Sequence, residues 1–218
     1  MIRAVIFDLD NCIAASDEPG RQLLAPTFAA IRRANRGTLP EETLERAFDE
    51  CWGHSLDTVA RKYGFSHEML AAGWAENARA EVTAPMHGYP DLGAIRELPA
   101  KLYLVTSGFR RLQESKIRAL DVESLFERVY IDAIDEPERK GKEKIFSAIL
   151  RANALDPHEV LVIGDDADSE IAAGNRLGIP TVQIQRQGIP WAGNATHHIK
   201  SLTELGDVME RYRVGAAR

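Results

Sequence analysis

The sequence predicts an α/β fold, a Rossmann-like parallel sheet with helices on both faces, interrupted by an inserted all-helical segment. Three observations predict it. Short runs of branched apolar residues at 4–9, 102–107, 160–165 and 180–185 read as buried strands. From residue 102 onward these runs alternate with helical patterns, which is the signature of parallel strands joined by crossover helices. Between residues 14 and 101 no strand pattern occurs, and helical periodicity takes its place.

The first run, "AVIFDL", leads directly into "DNCIA". Asp8 and Asp10 therefore stand where a core strand ends, one residue apart. Ionised carboxylates are costly to bury without partners, so the pair asks for a counter-charge. The segment that follows reads as helices at 20–34, 40–52, 55–64 and 66–82, the last with Ser66 as its N-cap. After the breaker-rich "APMHGYP" at 84–90, "DLGAIRELP" reads as a helix returning to the sheet. "LYLVTS" at 102–107 is the second strand, and "FRRLQESKIRAL" at 109–120 its helix, with Leu112, Lys116, Ile117 and Leu120 near one face. "ERVYID" at 127–132 is a weaker strand. "KEKIFSAILRAN" at 142–153 and "ADSEIAAGNRLG" at 167–178 are helices, the second closed by Gly178.

Composition narrows the classes. The 218 residues are 44% hydrophobic and 28% charged, ordinary for a globular chain, with a net charge of −6. No basic patch points to nucleic acid, and the apolar runs are strand-sized, so no membrane span is expected. Cys12 and Cys51 make no disulfide framework, and the N-terminus runs straight into a strand with no signal-peptide pattern. The expectation is a cytoplasmic protein.

Ligands of open parallel sheets bind beyond the carboxyl ends of the strands. Those ends carry Asp8 and Asp10, then Thr106 and Ser107, then Asp165 and Asp166 with Asp168 and Glu170 close behind. Lys140, Lys142 and Lys144 surround the start of the 142–153 helix. Hard oxygen ligands suit Mg²⁺, and a metal beside a lysine attracts an anion such as phosphate.

"VIFDLDNCI", "LYLVTSG", the lysine loop and "VLVIGDDADSE" occur in an order that resembles the haloacid dehalogenase-like hydrolases. The resemblance spans residues 5 to 170. It implies an α/β core of residues 1–14 and 86–218 and a helical cap of residues 15–85. It implies Asp8 as the nucleophile that forms an aspartyl-phosphate, and Asp10 as general acid and base. Thr106 would hold a phosphate oxygen with help from the Ser107 amide, and Lys142 would balance charge, with Lys140 as the alternative. Mg²⁺ would be held by Asp8, the Asp10 carbonyl and Asp165, supported by Asp166 or Glu170. Where the family usually has Thr, two residues after the second Asp, this chain has Cys12, a poorer donor.

The implied activity is Mg²⁺-dependent hydrolysis of a small phosphorylated metabolite. A dehalogenase needs no acid for its leaving halide, so Asp10 argues for phosphoryl transfer. A phosphomutase differs mainly in what attacks the aspartyl-phosphate. A receiver-like phosphate-binding protein would be shorter and would carry its Asp on a later strand. Trp52, His54, Trp74 and His87 are candidates for the substrate pocket, although aromatic residues in helices are more often core. Arg32, Arg33 and Arg36 read as a solvated face, and His197 and His198 as surface or edge-strand residues.

Overall fold

The computed structural model describes residues 1–188, 190, 191 and 193–214. Among them, six strands form one parallel sheet: β1 (Ala4–Phe7), β2 (Lys101–Gly108), β3 (Arg128–Ala133), β4 (Val160–Gly164), β5 (Thr181–Ile184) and β6 (His197–Ile199). Their spatial order is β3-β2-β1-β4-β5-β6. Strands β1 to β3 build outward in one direction, and β4 then docks on the other side of β1, pairing Ala4 with Val160. That reversal opens a crevice beyond the C-terminal end of β1, the usual ligand position in such sheets.

Alternation along each strand feeds two cores. Val5, Phe7, Leu104, Leu161 and Ile163 face one side. There they meet Ile117 and Leu120 of α5 (Arg110–Leu120) and Leu205, Val208 and Met209 of α8 (Leu205–Val214). Ala4, Ile6, Tyr103, Val105 and Val162 face the other, against Ile145, Phe146 and Ile149 of α6 (Lys142–Asn153) and Ala173 of α7 (Ala172–Arg176). Such strands are apolar on both faces because both are covered.

Four α-helices lie between β1 and β2: α1 (Ala25–Asn35), α2 (Glu41–Glu50), α3 (Leu56–Tyr63) and α4 (His67–Asn77). They bury Ile31, Leu44, Phe48, Leu56 and Met69 in a cluster of their own. Phe28 stacks on Phe48 with ring centroids 4.3 Å apart. Ser55 and Ser66 cap α3 and α4 by accepting from Thr58 N and Met69 N, each at 3.3 Å. Val82 and Met86 already belong to the core beneath the sheet.

In three segments the structure refines the helices expected from the sequence. "DLGAIRELP" forms a 3-10 helix at Leu92–Glu97, because Gly93 weakens it and Pro99 draws Leu98 into extended backbone. The 66–82 pattern is helical only through Asn77, whose Oδ1 accepts from Thr27 Oγ1 of α1 at 2.6 Å. The 167–178 pattern splits into a π-helical turn at Ala167–Ile171 followed by α7. His197 and His198 lie on β6, at the sheet's edge. No helix among the described residues is long and apolar enough to cross a membrane.

Candidate active site

The turn after β1 is wound tightly around Leu9. The Leu9 carbonyl accepts from Ile13 N at 3.0 Å and Ala14 N at 3.2 Å, and Asn11 takes a left-handed φ of 53°. Cys12 donates its thiol to the Ile163 carbonyl at 3.8 Å, so the residue that replaces the usual Thr still bonds across to β4. Arg186 holds the same turn from outside, donating to the Cys12 carbonyl at 2.7 Å and to both Asp91 oxygens at 2.8 and 3.0 Å. Its guanidinium also lies over the Tyr89 ring, 3.9 Å from the centroid.

Asp8 leaves this strand end buried, facing Lys142. Lys142 Nζ donates to Asp8 Oδ1 at 2.8 Å and to Glu170 Oε2 at 2.7 Å. The lysine is the first residue of α6, after Gly141, whose φ of 78° favours glycine. Lys140 and Lys144 are exposed. The structure therefore brings Lys142, and not Lys140, to Asp8.

Glu170 reaches the same point from the π-helical turn, a feature often found at functional sites. It is 1% exposed, and its Oε1 accepts from Asp166 N at 2.7 Å. Asp166 itself is exposed and caps the turn, its Oδ1 accepting from Asp168 N at 2.8 Å. Between the two, Glu170 is the residue at the cluster. Gly164 makes room for it, since a Cβ at that position would lie 2.1 Å from Glu170 Oε1.

Oxygen atoms of Asp8, Asp165 and Glu170 lie within 4.8 Å of one another. Three buried carboxylates thus face one ammonium. Burial first, then the neighbouring Glu170, pushes Asp165 up to about 8. Burial pushes Asp8 up to about 7, although Lys142 pulls it down. The same carboxylates, against its burial, hold Lys142 above the usual lysine range. An excess of negative charge in a ring of hard oxygen donors fits a small divalent cation such as Mg²⁺.

Beside the cluster, at the end of β2, Thr106 is buried and its Oγ1 accepts from Gln113 Nε2 at 2.5 Å. The Ser107 hydroxyl donates instead to Asp132 Oδ2 at 3.1 Å. Asp132 also accepts from Gly141 N at 2.8 Å and Arg139 Nε at 3.0 Å, tying the end of β2 to the loop that delivers Lys142. Asp10 stands slightly apart, bound to Lys116 and Gln113 of α5. Asp132, Arg186, Gln113 and the role of Lys116 escaped the sequence reading. A lysine and a glutamine on the apolar face of 109–120 were the available signal.

Of the aromatic candidates in the helical segment, Trp74 packs edge-on against Phe109, at the entry to α5, with centroids 5.1 Å apart. Its indole donates to Asp57 Oδ2 at 3.1 Å. Trp52 offers its carbonyl to Ser16 Oγ at 2.8 Å. Arg32 is engaged on the surface by Glu41 and Glu45, as a solvated face would be.

These features sit in a recognisable lineage. The family model of haloacid dehalogenase-like hydrolases matches residues 2–178, and the chain belongs to that family. A glyceraldehyde 3-phosphate phosphatase of Methanopyrus kandleri is 31% identical over 199 residues, covering 85% of each chain. The human N-acylneuraminate-9-phosphatase is 28% identical over 236 residues, covering 96% of this chain and 94% of its own. Among solved structures, a phosphatase of the family from Thermococcus onnurineus superposes with a TM-score of 0.64 at 22% identity, covering 95% of this chain and 98% of its own. The chain is an enzyme, a hydrolase acting on phosphoric monoester bonds.

Proposed function

We propose that the enzyme is a Mg²⁺-dependent phosphatase that hydrolyses a small phosphorylated metabolite through an aspartyl-phosphate on Asp8. The observation that carries this reading is the contact of Lys142 with Asp8 and Glu170 inside a cluster of three buried carboxylates. The metal would be held by Asp8, the Asp10 carbonyl and Asp165, with Glu170 supporting. It would offset charge on the transferring phosphoryl group.

The rest is the work of this chain's side chains. Lys142 occupies Oδ1 of Asp8, which leaves Oδ2 to attack phosphorus. Thr106 accepts from Gln113, so its own hydrogen is available to a phosphate oxygen, and the Ser107 amide adds a second donor. As the ester bond to phosphorus breaks, Asp10 gives its proton to the departing oxygen. Asp10 then takes a proton from water, which attacks the phosphorus of the aspartyl-phosphate. Inorganic phosphate leaves and Asp8 is restored. Lysine and threonine are most useful where negative charge builds up on the phosphoryl oxygens.

Residues 15–85 act in this reading as a cap over the core of 1–14 and 86–218, excluding water and reading the leaving group. Their separate hydrophobic cluster and the Trp74–Phe109 contact support that role. The test is phosphate release from a panel that includes glyceraldehyde 3-phosphate, N-acylneuraminate 9-phosphate and nucleoside monophosphates. Turnover on at least one ester, abolished by excess chelator and restored by Mg²⁺, is expected. Full turnover in chelator would refute the metal, and no release from any ester would refute the phosphatase.

A further inference from the structure

We infer that Lys116 and Gln113 are positioning residues for Asp10, acting on the leaving-group proton through that carboxylate. The inference rests on the reading of Asp10 as acid and base.

The helix α5 buries Gln113, Ser115, Lys116, Ile117 and Leu120, and all of these but Ser115 share one face. Two of the four on that face, Gln113 and Lys116, are polar. A buried ammonium is costly unless it is paired, and Lys116 is only 5% exposed. Its Nζ donates to Asp10 Oδ1 at 2.6 Å. One helical turn earlier, Gln113 Nε2 donates to Asp10 Oδ2 at 3.0 Å. Residues three apart on a helix project side by side, so the pair grips both oxygens of one carboxylate. Asp10 itself sits in the turn after β1, beside Asn11 in left-handed backbone.

A carboxylate has about four lone-pair sites on its two oxygens. Lys116 and Gln113 occupy one on each oxygen. The remaining sites can still meet the leaving oxygen or a water, so the grip fixes direction without consuming the proton-transfer capacity. The same Gln113 nitrogen also reaches Thr106 Oγ1 at 2.5 Å and lies 3.4 Å from the Ser107 carbonyl. With two hydrogens, that amide couples the acid–base residue to the hydroxyl proposed to hold phosphate. An ångström of misplacement at a reacting group can cost about a hundredfold in rate.

The experiment is a double-mutant cycle on kcat, using Lys116→Met, Asp10→Asn and the two together. Each is assayed with an alkyl phosphate and with an aryl phosphate whose phenol is acidic. Lys116→Met is expected to slow release of the alkyl alcohol by about a hundredfold and the first release of phenol by far less, with KM nearly unchanged. On the alkyl ester in the Asp10→Asn background, Lys116→Met should add less than about twofold, because the residue acts through the missing carboxylate. A merely structural lysine would instead slow both esters alike, and its loss would multiply with that of Asp10. Either result overturns the inference, as does a Lys116→Met enzyme at parental rates while Asp10→Asn is impaired. An Asp10→Asn enzyme unimpaired on both esters would instead remove the acid–base reading beneath it. Melting temperatures establish that each variant is folded. Should Lys116→Met fail to fold, Lys116→Gln, which keeps polarity but not charge or reach, carries the same cycle.

Discussion

The Lys142 ammonium lies 2.8 Å from Asp8 Oδ1, and the two residues come from strand and helix ends 134 positions apart in the chain. The pairing holds the proposed nucleophile as an oriented carboxylate, yet burial still pushes Asp8 up to about 7. Asp8→Asn is therefore expected to separate activity from stability. Loss of a nucleophile typically costs about a millionfold in kcat, so turnover should fall by about four orders of magnitude or more. Lys142 keeps Glu170 as its partner in the variant, and one buried negative charge is gone. The melting temperature of the metal-free variant at pH 8 should match or exceed that of the parent. A variant that retains turnover would deny Asp8 its role, and a badly destabilised one would deny the cluster its net repulsion.

The cluster also links pH to metal. Asp8 and Asp165 are shifted from an ordinary 3.8 to about 7 and about 8. Between the ordinary and the shifted values, the folded chain keeps protons that the unfolded chain has lost. That contribution to stability is full below about pH 4 and is lost as pH rises through about 7 and 8. Bound Mg²⁺ needs the carboxylates ionised, so it competes with those protons. The rise in melting temperature on adding Mg²⁺ should be small at about pH 6 and clearly larger at about pH 8.5, and binding at about pH 7 should release protons into a weakly buffered solution. A gain independent of pH would place the metal elsewhere.

How much of this was legible in the sequence depends on what kind of contact is involved. Strand cores such as "VLVIG" are recognisable because both faces are buried, and their ends locate Asp8, Thr106 and Asp165 without knowledge of the packing. Lys142 was legible with Lys140 as its one alternative, since a lysine at a helix start is a local feature. Asp132, Arg186, Lys116 and Gln113 were not, because their meaning lies in partners distant in the chain. Arg186 reads as an ordinary polar residue after β5 until the fold sets it against Cys12 and Asp91. Glu170 was ambiguous with Asp166 because the π-helical turn that swings it inward has no local sequence signature. The helix at Leu92–Glu97 was legible but its 3-10 geometry was not, since an apolar pattern six residues long suits either kind of helix.

Glu18 joins the two chain segments linking the helical segment to the sheet. Its carboxylate accepts from His87 N at 2.5 Å and from Gly88 N at 3.1 Å. The outgoing segment is thereby pinned to the returning one. Gly88 is confined from the other side, with a left-handed φ of 69° and room for no Cβ, which would lie 2.8 Å from the Ile13 carbonyl. Tyr89 N then donates to that same carbonyl at 2.9 Å. If residues 15–85 move as a cap, they turn about these two segments, and hinge changes alter kcat and KM together. Glu18→Ala releases two backbone amides from a charged acceptor, a change worth about 1.5–3 kcal/mol per bond where the site is dry and less where water replaces the carboxylate. Glu18 is only half-buried, so stability should drop by about 1 kcal/mol. The diagnostic effect is local. Amide hydrogen exchange at residues 86–89 should quicken severalfold while β1 and β4 keep their protection, and both kcat and KM should shift. Unchanged exchange at 86–89 would mean that Glu18 does not hold the joint, and faster exchange with unchanged kinetics would mean that the joint does not govern catalysis.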